Sequence, residues 1–402
     1  MILIFELMDE AVTHAPGNSQ WAQVIAQAAP DRQVRLFAPP AHRAALAQDP
    51  NLLALPNVEL REIPLLSVYR RQVNVASPRR FREELAILRA ALAEVPPAAE
   101  PCLIVLASAA PTAVFAALLA GRLLRRRVQV QMVLHGFANE VQGWRTRNPL
   151  LRRFDLPGLM QRPPRALRFL ALEPSIAAEV GRLVPASAGR IDVLPLPVNA
   201  AEIVAWQPVS LNRPIKVALV GQTTAAKGIG PFLETARRFK QRYGDAVQFH
   251  VIGRRFPETD AAALAVLDSE VTEGHLDRAV FLERLAGMHY VFLPLHESYY
   301  RLSPSGALID AITWLKPVIA TAIPLVVDAF REGGDIGELC QDVPAMQAAL
   351  QTIIESPDAE RYARQVEALR ELRAKRMPTA LVSLYRSILE RGFGDQPAAT
   401  AP

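Results

Sequence analysis

Apolar, β-branched runs recur along this chain, and each is followed by a stretch of helical pattern. In the first half they read ILIFEL, VRLFAP, VELREIP, LIVLAS, VQVQMVLHG, LRFLALEPS and IDVLPLPV. A strand with one wet face alternates polar and apolar residues, whereas most of these runs barely alternate and so must be covered on both faces. Helix candidates at 19–29, 78–94 and 112–124 lie between them. Strand and helix in steady succession predict a parallel sheet with helices on both sides, an α/β fold.

The pattern then restarts. LPLPVNAAEIVAWQPVSLNRP, residues 194–214, is proline-rich and has no clean period, so its later part, 201–214, reads as a linker. Beyond it IKVALVGQ, VQFHVIG, HYVFLPL and KPVIAT are strands, with helices expected at 229–243, 260–267 and 304–315. A length of 402 residues exceeds one ordinary core. The expected organisation is a domain at 1–200, the linker, and a second doubly wound domain at 215–375. A helix at 376–393 and a disordered tail at 394–402 complete it, and Pro378 should interrupt the helical run 358–391.

Composition removes several other classes. Residues 103–121 are uncharged for about 19 positions, near membrane-spanning length. Pro111 divides them into a strand and an Ala-rich helix, which favours a buried strand–helix unit. MILIFELMDE has acids at Glu6, Asp9 and Glu10 and no basic segment, so it reads as a first strand and not a signal peptide. Cys102 and Cys340 show no metal spacing and fit a reducing compartment. Residues 1–205 carry 23 arginines, no lysine and 17 acids. That excess, clustered at Arg70–Arg71, Arg79–Arg82, Arg125–Arg127 and Arg145–Arg153, raises contact with anionic membrane as a partner. Nucleic acid is not expected, because no aromatics interleave with the basic runs. A cytoplasmic protein, peripheral at the inner membrane face, is the expected location.

Three features carry chemistry. RLSPSGALIDAITWLKPVIAT opens a helix on Ser303, Pro304, Ser305 and Gly306. Ser303 suits the N-cap and Pro304 the first helical position, which leaves the N–H groups of Ser305, Gly306 and Ala307 open to an anion. Asp310 lies one turn on, where a carboxylate suits paired hydroxyls such as those of ribose. An ordinary capped helix is the plain alternative. The second feature is IKVALVGQTTAAKGIG, a strand, a turn and Lys227; Ala226 and Gly228 stand where a P-loop needs Gly and Ser or Thr. Lys227, one of five lysines, would bring a positive charge to the strand ends, where open α/β sheets bind ligands. Third, His135 ends an apolar strand and is placed for a substrate contact, although a lone histidine is often structural.

Together these residues resemble the GT-B glycosyltransferases, specifically the family 4-like group of bacterial polysaccharide and glycolipid assembly. The resemblance implies two Rossmann-like domains facing a cleft, joined by a C-terminal crossover helix. It implies Lys227 on the donor diphosphate, with Gln222 at the place of the family's arginine and Ser303, Ser305 and Gly306 at the helix start. Asp310 takes the place of the ribose-binding glutamate. Leu302 stands where another glutamate contacts the donor sugar, and Glu297 is offered as its substitute. VTEGHL implies nucleobase contacts at Thr272, Gly274 and His275. His135 matches a position that contacts the donor sugar in retaining members and is the catalytic candidate. The family's glycine-rich first loop is reduced to HAPGNSQW, leaving Gly17 and Asn18, with Ser19, as a helix start in the cleft.

The implied reaction moves a sugar from a nucleotide-diphosphate donor to a glycan or lipid-linked acceptor. No resident cofactor is implied, and no Asp or His cluster marks a metal, in keeping with a metal-independent site. No confident base emerges, which fits retention; inversion would draw on Asp9 or Glu10. Two rivals stay open. A nucleotide-sugar epimerase would need more acid–base carboxylates and would consume donor without acceptor. A non-catalytic nucleotide-sugar-binding or scaffold subunit is favoured by Gln222 and Leu302, and would not turn over.

Overall fold

The computed structural model describes residues 1–8, 14–66, 77–97, 100–143, 146, 148–203, 209–274 and 276–393. It divides into two compact units. One comprises residues 1–201, 302–304 and 376–402, the other residues 202–301 and 305–375.

The first unit holds seven strands: β1 (Ile2–Glu6), β2 (Val34–Ala38), β3 (Val58–Glu62), β4 (Cys102–Ser108), β5 (Val128–Leu134), β6 (Leu167–Ala171) and β7 (Ile191–Val193). They pair in parallel in the order β3-β2-β1-β4-β5-β6-β7. Side chains alternate across the sheet, so each apolar strand feeds two cores. Leu3 and Phe5 of β1 join Ile104 and Leu106 of β4 in one layer, with Leu88, Ala113 and Ala117. Ile2 and Ile4 join Leu103 and Val105 in the other, with Trp21 and Ile25. The run 103–121 is therefore β4 plus the helix Pro111–Leu123, both at the core. No helix among the described residues is long and apolar enough to cross a membrane.

The C-terminal helix Pro378–Phe393 belongs to this unit and packs on the helix Ala15–Ala28. Its Leu381, Tyr385 and Ile388 complete the second core layer, and Tyr385 Oη donates to Gln131 Oε1 at 2.7 Å. The helical run breaks between the helices Ala359–Lys375 and Pro378–Phe393, with Pro378 as the first residue of the second. Proline lacks an N–H, which costs nothing at that position. Arg376, in the break, meets Glu173 at 3.0 Å with both side chains buried.

The second unit holds β8 (Ile215–Val220), β9 (Val247–Ile252), β10 (Tyr290–Leu293), β11 (Val318–Thr321) and β12 (Gly337–Cys340), parallel in the order β12-β11-β10-β8-β9. Phe232 meets Phe249 and Phe292 with ring centroids 5.7 and 5.8 Å apart, at the centre of its core. The expected helix at 260–267 is instead a short 3-10 segment, Ala262–Val266. The helix Arg278–Ala286, capped by Asp277, and the edge strand β12 are additions to the expectation. The sequence of β12, GELC, is short and polar at its centre, as an edge permits.

The cysteines are both free and buried. Of the arginine clusters, Arg80 is buried and Arg79 pairs with Glu83. Arg70, Arg71, Arg145 and Arg147 lie outside the described residues, as do Asp9 and Glu10.

Candidate active site

In the second sheet the strand order reverses between β8 and β10, and a crevice opens at the carboxyl ends of such strands. The turn after β8 runs from Gly221 through the 3-10 segment Ala225–Lys227 to the helix Ile229–Tyr243. Thr224 caps the short segment by accepting from Lys227 N at 3.3 Å. His296 N, beyond β10, donates to Ala226 O at 3.0 Å and ties the turn across the switch point.

Lys227 curls back over the end of β8. Its ammonium donates to Val220 O at 3.1 Å. Gly221, with φ of +100°, leaves the space it occupies, because a Cβ there would overlap Lys227 Nζ. Burial lowers the Lys227 pKa, and the nearby charge of Asp310 works in the opposite direction. The pair of candidates drawn from separate motifs is thus electrostatically coupled within one unit.

The helix after β10 differs from its expected start. It spans Gly306–Thr313, with Ser305 as the N-cap in place of Ser303. Ser305 Oγ accepts from Leu308 N at 3.3 Å, which leaves the N–H groups of Gly306 and Ala307 without an intrahelical acceptor. A proline at 304 needs no helical geometry to precede a serine cap, and an extended Ser305 (φ −111°, ψ 105°) stops the helix there. Ser303 and Pro304 fall in the first unit, where Leu302 is fully buried in an apolar core layer.

Asp310 is not a free carboxylate. Its Oδ1 accepts from Arg278 Nη2 at 2.8 Å, and Arg278 also forks onto Glu202 with two bonds of 2.7 Å. Burial disfavours the Arg278 charge, but Asp310 and Glu202 outweigh it and hold its pKa above the ordinary value. Arg278 further lies over the ring of Phe281, 4.5 Å from its centroid.

The remaining candidates of this unit separate. Thr272 forms a parallel bridge with Arg254, beside the turn, and its hydroxyl donates to Gly253 O at 3.3 Å. Gly274 is exposed, and His275 lies outside the described residues. The Gln222 amide faces Arg254, and assigning its oxygen to that side lets it accept from Nη2 at 2.9 Å and Nε at 3.3 Å. Glu297 starts a short exposed helix, Glu297–Tyr300, and pairs with Arg301 at 2.6 Å.

The first unit has its own switch point between β1 and β4, where Glu6 and Ser108 are partners across the strand ends. The helix there is Ala15–Ala28, so Gly17 and Asn18 lie inside its first turn and do not form its start. Asn18 points inward: its Nδ2 donates to Glu6 Oε2 at 2.8 Å and lies 3.1 Å from His42 Nε2. Ser19 and Gln23 turn to Asp49 in the same way. Burial pushes the Glu6 carboxyl above its usual range, against the pull of His14 and the bonds from Met8 N and Asn18. His135, after β5, stacks on His14 at 4.7 Å and lies 6.3 Å from the Trp21 ring. Burial, with His14 adding to it, pushes His135 down to about 3. The imidazole is therefore neutral near pH 7 and a weak base, suited to hydrogen bonding and not to taking a proton.

Among the described residues no group of three or more His, Cys, Asp or Glu is placed to hold a metal ion.

No protein-family model matches the sequence, and no curated protein matches it. Solved structures do match the fold. A glycosyltransferase from Rickettsia africae ESF-5 superimposes with a TM-score of 0.68 at 12% identity, covering 98% of this chain and 99% of the other. HepE from Anabaena, solved with UDP, gives a TM-score of 0.64 at 14% identity, with 97% and 99% covered. WaaG, a glycosyltransferase of lipopolysaccharide biosynthesis, gives 0.58 at 14%, with 96% and 99% covered. The chain has the GT-B glycosyltransferase fold.

In this GT-B chain, sequence reasoning missed Glu6, His14, His42, Glu202, Arg254 and Arg278. Glu6 carried a signal, a carboxylate closing an apolar strand. Arg254, in HVIGRRF, follows a strand just after a glycine. Glu202 and Arg278 had none, since 76 residues separate them and their pairing exists only in the folded unit.

Proposed function

We propose that this protein is a glycosyltransferase that moves a sugar from a nucleotide-diphosphate donor to a glycan or lipid-linked acceptor. The observation that carries the reading is the second unit's switch point. There the Lys227 ammonium, the Asp310 carboxylate beside it and a helix start with open N–H groups occur in one unit. Anionic phosphate suits the first and third, and ribose hydroxyls suit the second. HepE, of the same fold, has been solved with UDP and with UDP-glucose, which supports a nucleotide-sugar donor here.

As the glycosidic bond to the donor breaks, negative charge develops on the departing diphosphate. Lys227 and the Gly306 and Ala307 amides stabilise that charge by being positioned before the reaction. Asp310 orients the ribose once its bond to Arg278 is exchanged for the hydroxyls. In the first unit the neutral His135 imidazole can hydrogen-bond but is too weak a base to take a proton. A retaining reaction, in which the leaving phosphate takes the proton of the incoming hydroxyl, asks for no such base.

Leu302, buried where a sugar-binding carboxylate would stand, favours the competing reading of a non-catalytic nucleotide-sugar-binding subunit. Calorimetry with UDP, GDP and ADP tests donor binding, and release of nucleoside diphosphate from the matching donor with a lipid-linked acceptor tests turnover. Binding without turnover supports the competing reading; binding of none of them ends both.

A further inference from the structure

The first unit carries a charge excess that its switch point does not use. Residues 101–172 contain 11 arginines and two acids, Glu140 and Asp155. Asp155 is buried and accepts from Thr146 N at 2.9 Å and Gly158 N at 2.8 Å. Three of the arginines, Arg122, Arg126 and Arg165, line a cavity of about 290 Å³ together with Leu118 and Val128. No carboxylate lines it, and among the described residues none of the three arginines pairs with one. The cavity lies at the amino ends of two neighbouring strands. Arg126 shortly precedes Val128, the first residue of β5, and Arg165 shortly precedes Leu167, the first of β6. His135 follows the other end of β5, and the seven residues of that strand, at ~3.3 Å each, put roughly 20 Å between the two places.

The local fold gathers these side chains. Between the helix Pro111–Leu123 and β5 the chain turns back sharply: Arg126 N donates to Gly121 O at 2.8 Å, and a Cβ on Gly121 would crowd Val128. Such a helix end needs a left-handed residue, and Arg125 takes that conformation, with φ of +53°, where glycine is the usual occupant. Arg126 Nη2 donates to Val95 O at 2.8 Å, which anchors its guanidinium. Arg190 Nη1 donates to the carbonyls of Pro164, Arg165 and Leu167 at 3.1, 3.0 and 3.2 Å, which fixes the backbone that carries Arg165. Three guanidiniums around one concavity repel each other and cannot shed their charge by losing a proton. An oxyanion relieves that repulsion, and the N–H forks match the oxygens of a phosphate. We propose that this cavity binds a phosphate-bearing ligand, at a site separate from both switch points. Two sources carry that chemistry, a soluble phosphate compound and the headgroup of an anionic lipid. The proposal does not rest on the donor-binding reading, because all its residues belong to the first unit.

Isothermal titration with inorganic pyrophosphate tests it, beside co-sedimentation with phosphatidylcholine vesicles made with and without phosphatidic acid. Both use Lys227→Ala as the starting protein, so that the lysine of the second unit does not contribute. Arg122 and Arg165 are exposed, so Arg122→Gln and Arg165→Gln should unfold at the temperature of the starting protein. Each should bind the probe about tenfold more weakly. Arg165→Lys keeps a charge and should lose less. Arg162→Gln removes the same net charge from an exposed position outside the cavity, just past the helix Leu156–Gln161, and should bind like the starting protein. Pyrophosphate bound in this pattern identifies a soluble ligand, and phosphatidic acid vesicles bound in this pattern identify a lipid headgroup; either supports the site. Equal losses in Arg162→Gln and Arg165→Gln overturn it, because a diffuse basic surface would respond in that way. Binding of neither probe, or binding that survives the loss of both Arg122 and Arg165, overturns it as well.

Discussion

Arg278 Nη2 sits 2.8 Å from Asp310 Oδ1 and holds the carboxylate expected to receive ribose hydroxyls. The same guanidinium grips Glu202 at the start of the second unit, so the carboxylate is oriented through a half-buried, charge-assisted network. Asp310→Asn keeps the shape and removes the charge. It should weaken a nucleoside diphosphate about tenfold, since hydrogen bonds to charged groups are worth roughly 1.5–3 kcal/mol, and leave pyrophosphate nearly unaffected. Calorimetry with both ligands reads the difference; equal losses would place Asp310 outside the ribose site.

Lys227→Ala removes the ammonium from the end of β8. A charge-assisted phosphate contact is worth roughly 1.5–3 kcal/mol, so nucleoside diphosphate affinity should drop tenfold or more. Circular dichroism should stay at the parent spectrum, because the ammonium's hydrogen bond within the protein goes to one backbone carbonyl, Val220 O. Unchanged affinity in the folded variant would sink the assignment.

Gly306→Val tests the open helix start. A Cβ at Gly306 meets nothing within 4 Å, so the free protein accommodates the valine. Valine is also no worse than glycine in helix propensity. The branched side chain instead fills the space through which a phosphate reaches the Gly306 and Ala307 amides. Both pyrophosphate and nucleoside diphosphate should bind at least tenfold more weakly, by loss of charge-assisted bonds. Parental binding would reduce this helix start to a simple cap.

Glu84, in the helix Pro78–Ala93, bears on stability alone. Burial raises its pKa from 4.5 to about 8. Between those values the folded protein keeps a proton that the unfolded chain has released, so stability falls as pH rises through that window. Glu84→Gln abolishes this contribution. In denaturant titrations from pH 5 to 7.5 the variant should gain on the parent by up to roughly 1.4 kcal/mol per pH unit. Parallel stability profiles would show that Glu84 is ionised in the fold.

Arg376 and Glu173 form a buried ion pair in the first unit. Arg376→Ala leaves Glu173 without its guanidinium and should cost about 3–5 kcal/mol, whereas replacing Arg376 by Met and Glu173 by Leu together should cost far less. Thermal unfolding of the two variants gives the comparison. Similar losses in both would show that packing, not charge, holds the break before the last helix.

Much of the architecture was legible because it follows from local pattern. Ile2 to Phe5 are apolar in succession, and only a strand covered on both faces satisfies them. Lys227 and Gly306 were legible as candidates because each is marked by its neighbours, a glycine turn in one case and a serine cap in the other. Local pattern blurred at element ends. Ser303 and Ser305 are both able caps, and the helix chose Ser305 through backbone geometry that the order of residues does not encode. Likewise Gly17 and Asn18 read as an exposed start, yet the helix begins at Ala15 and turns Asn18 inward to Glu6.

The sequence by itself determined two doubly wound sheets and the motifs at their strand ends, because burial periodicity and turn chemistry act over a few residues. Tertiary structure alone decided which charges meet. Arg278 reaches Asp310 across 32 positions and Glu202 across 76, and Gln222 meets Arg254 across the register of β8 and β9. Side-chain electrostatics depends on separation in space, and separation along the chain carries no record of it until the sheets have formed.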